Sequence, residues 1–132
     1  MSALYSTELL ALAATIPHVG RLEDATGSAT LRSPVCGSRV TVDVRTDGDR
    51  VTAFAQEVNS CLMGQASAAL MGQRHAEDLV ALRAAVATML AGGAICPGYE
   101  PLALAREVPA RHAAILLPLD AAIAAIEKSR QR

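Results

Sequence analysis

The chain has 132 residues and a mass of 13.7 kDa, with 12 basic and 13 acidic side chains and a formal charge of −1. That length fits a single domain spanning 1–132 and is enough to bury a core without staples. A near-neutral charge and three aromatic rings (one Phe, two Tyr) exclude the basic, ring-lined surfaces that bind nucleic acid, and they leave Ala, Leu, Val, Ile and Met to pack the core.

The N-terminal segment reads as a helix. Leu9, Leu12, Ala13 and Ile16 recur at helical spacing, and Pro17 and Gly20 mark its end. Its first residues lack a basic stretch followed by an apolar one, so no signal peptide is expected. Ser28–Arg32 is a short strand stopped by Ser33-Pro34. The clearest strand follows, where Val40, Val42 and Val44 alternate with Thr41, Asp43 and Arg45 to give one apolar and one polar face. Asp47-Gly48 turns it into a hairpin whose return strand runs from Arg50 to Val58.

From Leu62 onward the pattern is helical. Leu62, Ala66, Ala69 and Leu70 form one stripe; Leu79, Leu82, Val86, Met89 and Leu90 form a second, closed by Gly92-Gly93. Ala94–Pro101 reads as a loop, and a last helix carries Leu116, Leu119, Ile123 and Ile126, with Pro118 in its first turn or kinking it. No uncharged apolar run approaches the roughly 18 residues of a membrane span. Strands followed by helices make an α+β fold: a three-stranded antiparallel sheet with an N-terminal helix and several C-terminal helices packed on one face.

Three well-separated cysteines, Cys36, Cys61 and Cys96, suit a reducing cytoplasm with free thiols. Cys36 precedes the Val40 strand and Cys61 follows its hairpin partner. Antiparallel pairing therefore brings both to one edge of the sheet. Two neighbouring thiols can bind a soft metal, form a redox disulfide, or be buried as structure. Cys61 opens the Leu62 helix, and a helix N-terminus favours the thiolate form that ligates metal or accepts sulfur. Nothing resembles a nucleophile–base pair, a phosphate loop or paired catalytic carboxylates, so no enzyme is expected.

Ser33-Pro34-Val35-Cys36-Gly37-Ser38 resembles the first ligand loop of the NifU/IscU-type (SufU-like) iron–sulfur cluster assembly scaffolds, where Cys-Gly-Asp follows a short strand. Asn59-Ser60-Cys61-Leu62-Met63-Gly64 resembles the second loop, and Arg111-His112-Ala113 the third, where His-Cys or Lys-Cys begins the last helix. Leu4-Tyr5-Ser6 and Ile16-Pro17-His18-Val19-Gly20 are similar to the family's leading helix and the turn after it.

The resemblance implies a cytoplasmic scaffold that receives sulfur from a cysteine desulfurase, assembles a labile 2Fe-2S cluster and passes it to iron–sulfur acceptor proteins. Iron, the cluster or zinc would be held by Cys36, Cys61 and His112. Two family ligands are replaced, by Ser38 where Asp is expected and by Ala113 where the third Cys is expected. The remaining set is one donor short of a closed tetrahedral site, leaving Cys96 from its loop, a second protomer, glutathione or water to complete it. Such depletion also fits a degenerate paralogue that binds the desulfurase as an accessory or regulatory protein without holding a cluster. A third reading is a sulfur relay that hands on a persulfide without iron. Cys96 reads as an incidental loop cysteine, His75 as solvated surface and His18 as part of a turn.

Overall fold

A computed structural model of the chain describes residues 6–34 and 37–131. The sequence-based elements are present in the expected order. Helix α1 (Thr7–Ala14) is followed by strands β1 (Gly27–Arg32), β2 (Arg39–Asp47) and β3 (Arg50–Asn59), then by helices α2 (Leu62–Gln73), α3 (Leu79–Leu90) and α4 (His112–Arg130). The strands form one antiparallel sheet in the order β1-β2-β3. Gly48 takes φ 60° at the hairpin tip, which its missing Cβ allows without strain.

Helix α1 is capped by Ser6, whose hydroxyl accepts the Leu9 N–H. It ends at Ala14, before the expected Ile16, because a residue preceding proline is pushed out of helical geometry. The segment Glu100–Glu107, which the apolar pattern left unassigned beyond the loop, winds into a 3₁₀ helix. A second short one, Pro109–Arg111, leads directly into α4. Tyr99, at the start of this stretch, is fully buried, so the core is not purely aliphatic.

Helix α4 lies across β1 and β2 and also packs on α2 and α3. Val40, Val42 and Val44 face it and are completely buried, as are Ile115, Leu119 and Ala122 on the helix. By length and composition Pro109–Arg130 could cross a membrane, with a mean hydropathy of 1.3, although charged residues interrupt its apolar run. Its apolar side nevertheless forms the core, and Asp120 in its middle accepts a 2.8 Å bond from Arg83.

Pro118 is the seventh residue of α4 rather than part of its first turn. Having no N–H, it leaves the Ala114 carbonyl without its helical donor. That oxygen lies against Gly64 of α2, only 3.2 Å from where a side chain would begin, and Ser67 of α2 donates to the neighbouring Ile115 carbonyl. The two helices thus meet at their N-terminal turns.

The other face of the sheet is not simply polar. Residues 17–26 cross it, and Arg21 reaches the Asp43 carboxylate through Nε at 2.7 Å and a second nitrogen at 3.1 Å. The Leu22 N–H and the Ser28 hydroxyl donate to the same carboxylate, which is only 1% exposed. Burial alone would raise its pKa, but the bonds from Arg21, Ser28 and Leu22 outweigh that and hold it below the ordinary 3.8. An unfolded Asp43 binds its proton more readily than the folded one, so the stabilisation is fully present above about pH 4 and disappears as pH falls through the lowered folded value. Asp43→Asn should lower the melting temperature at neutral pH and flatten the acid limb of a pH–stability profile. An unchanged acid limb would show that Asp43 does not contribute to it.

Candidate functional site

The loop 33–38 joins β1 to β2 at one end of the sheet. Its ends are held by the Ser33 N–H on the Ser38 carbonyl at 2.8 Å and the Gly37 N–H on the Ser33 carbonyl at 2.9 Å. Arg39 pairs with Asn59 across the β2–β3 ladder, so Ser38 faces Ser60, and their hydroxyls meet at 2.9 Å. Cys36 itself lies outside the described residues. The described ends of its loop are thus joined by hydrogen bond to the segment that carries Cys61.

Cys61 is the residue that caps α2, with extended backbone and no side-chain cap bond, and its thiol is free and half-buried. The contact of Gly64 with Ala114 brings the first turn of α4 to the same end of α2. His112 begins α4 and is half-buried, and the adjacent Ala113 is exposed. The Nε2 of His112 lies 2.8 Å from the Ala105 carbonyl. A carbonyl only accepts, so Nε2 carries the proton, which in a neutral imidazole leaves the Nδ1 lone pair for a ligand. Ligating histidines commonly have this arrangement, with the outer nitrogen oriented by a backbone carbonyl. Ser38, at the position of the missing aspartate, is almost fully buried.

Cys96 belongs elsewhere. It is buried beside Tyr99 and Arg74, at the far end of α2, where Arg74 donates to the Pro97 carbonyl at 2.7 Å. Burial pushes the Cys96 thiol pKa up, with only partial relief from Arg74. The 12 residues of α2 rise about 18 Å between this end and Cys61, so Cys96 supplies no donor there.

His75, expected on the solvated surface, is instead half-buried and stacked on Phe54 at 5.0 Å, with His18 edge-on at 4.9 Å. Proximity in sequence to Glu77 and Asp78 gave no sign of this, because the stacking partner comes from β3. His18 does form a turn, with φ 61°. Its pKa is lowered, first by burial and then by the charge of His75. Among the described residues no group of three His, Cys, Asp or Glu side chains gathers in a way that could hold a metal ion.

No family model matches the sequence, and no curated protein matches it. Among solved structures, the N-terminal domain of a nitrogen-fixing NifU-like protein from Brucella abortus is similar over 98% of this chain and 96% of its own, with 31% identity and a TM-score of 0.92. A protein from Fervidobacterium islandicum AW-1, described as an iron-sulfur cluster assembly scaffold for the SUF system, shares the fold at a TM-score of 0.83. It is 20% identical and aligns over 93% of this chain and 96% of its own. The 31% identity to the Brucella abortus domain, over nearly the whole of both chains, means that the chain belongs to the NifU-like N-terminal domain family.

Proposed function

We propose that this protein is a scaffold of iron–sulfur cluster assembly, which takes up iron or a labile 2Fe-2S cluster, or zinc in their place, at Cys36, Cys61 and His112. The observation that carries the reading is the meeting of three segments at one end of the fold. The Cys36 loop is tied to Ser60, Cys61 opens α2, and His112 opens α4 against it. Thiolate and imidazole are donors suited to zinc and to iron. In this reading Cys61 receives sulfur from a cysteine desulfurase in the reducing cytoplasm, and the assembled cargo passes to acceptor proteins. The protein holds and hands on; it does not turn over a substrate.

A second reading is supported by the two replaced donors, Ser38 and Ala113. In it the chain keeps the fold and binds the desulfurase as an accessory protein without a cluster. Anaerobic purification, followed by metal analysis and a visible spectrum before and after reconstitution with iron, sulfide and a desulfurase, separates the two. A charge-transfer spectrum with bound iron supports the scaffold. Desulfurase binding with neither iron nor zinc retained favours the accessory role.

The same assay checks the depleted donor set. Ser38→Asp combined with Ala113→Cys should retain zinc or cluster more strongly than the natural sequence, because each added donor replaces a water at an open coordination position. Equal retention would mean that the site is not simply short of ligands.

A further inference from the structure

The outer face of the sheet carries a polar cleft of about 440 Å³ next to the candidate site. Arg32 and Arg39 are directly opposed on β1 and β2, and both line it. In the next register row Thr30 faces Thr41, and their hydroxyls are 2.8 Å apart. Asn59, paired with Arg39 on β3, closes the third side. Arg21 and Glu57 form the remaining wall, with Arg21 bound to Asp43 and 3.9 Å from Glu57.

Like charges directly opposed across a ladder destabilise a sheet. Among the described residues neither Arg32 nor Arg39 makes an ion pair, whereas Arg21, which lines the same cleft, does. The sheet thus sets two arginines opposite each other in one cleft, with an ion pair on neither, beside two hydroxyls and an amide. Planar guanidinium forks match the oxygens of carboxylates and phosphates in pairs. A second cleft, of about 410 Å³ at the hairpin end, has no comparable set: there Glu77 is already bound by Arg74, and Asp78 caps α3.

We infer that the Arg32–Arg39 cleft is a binding site for a small oxyanion, a carboxylate or a phosphate held between the two guanidinium groups and the Thr30, Thr41 and Asn59 side chains. This goes beyond the scaffold reading and does not depend on any metal being held.

The test is an amide NMR titration of the full chain at low ionic strength with inorganic phosphate, with succinate, and with sodium chloride matched in ionic strength. The expected result is saturable shifts confined to residues around 30–32, 39–41 and 57–59 with phosphate, succinate or both, and none with chloride. Saturation by only one of the two names the oxyanion class. Arg32→Gln with Arg39→Gln should weaken binding by about tenfold or more, as expected for losing charge-assisted bonds. The same variant should melt at an equal or higher temperature, since it removes the opposed charges. Arg32→Lys with Arg39→Lys keeps the charge but loses the fork, and should weaken binding less. Shifts that grow linearly and equally with all three salts would overturn the inference, as would unchanged affinity in the glutamine variant. If that variant fails to fold, the wild-type titration and the lysine variant decide by the same criteria.

Discussion

Cys61→Ala should abolish retention of zinc or reconstituted cluster, whereas Cys96→Ser should leave metal content within error. The contrast rests on position. Cys61 stands where the ends of the Cys36 loop and the first turn of α4 meet, and its removal takes one thiolate from the proposed set, which is already short of four donors. Cys96 is sealed against Tyr99 and Arg74 about one helix length away. Metal analysis of the two purified variants in parallel checks it. Equal losses would bring Cys96 into the site and would require a different arrangement of its loop. Equal retention in both would remove Cys61 from the ligand set.

Gly27→Ala should be the most destabilising single-methyl change in the protein. Gly27 opens β1 directly beneath the C-terminal turns of α4. A side chain there would begin 2.1 Å from the Ala125 carbonyl oxygen and 2.7 Å from the Ser129 nitrogen. Both obstacles are helix backbone, so no side-chain rotation relieves them. Helix α4 would have to lift from β1, disturbing the cluster in which the Ser129 hydroxyl meets those of Thr26 and Thr46. Overpacking of this severity costs about 3 kcal/mol, or about 10 °C in melting temperature for a domain of this size. Thermal unfolding followed by circular dichroism measures it. A loss under about 2 °C would mean that the helix yields there more easily than its packing suggests.

The parts of the fold that the sequence made legible are those governed by short-range pattern. Period-two alternation through Val40, Val42 and Val44, the glycine after Asp47, and the stripe from Leu79 to Leu90 each specify one element without help from distant residues. The adjacency of the Cys36 and Cys61 segments was legible for a related reason, since antiparallel pairing fixes which strand ends are neighbours. What stayed hidden depends on partners far along the chain. Asp43 sits on the polar side of its strand, and nothing local says that Arg21 will bury it. Tyr99 lies in a stretch rich in glycine and proline, yet docks into the core. Pro118 was expected in the first turn or at a kink because an interior proline is costly, and it instead stands at the seventh position of α4, with the Ala114 carbonyl that it frees lying against Gly64 of α2. The site's third segment was recognisable only through the resemblance at Arg111-His112-Ala113. Helical periodicity cannot say which end of another helix a given turn will meet.

The bend at His18 also affects how the molecule can associate. Its left-handed backbone turns its carbonyl toward β3, where it accepts the Gln56 N–H at 2.9 Å, while the Gly20 N–H reaches the Gln56 carbonyl at the same distance. Val19 thereby forms a parallel bridge beside the outermost strand and occupies the backbone groups that an incoming chain would need at that point. An open β edge invites strand addition and, with it, aggregation. Here three consecutive residues of the crossing segment plug that edge at Gln56, so a neighbouring molecule cannot pair along the whole length of β3.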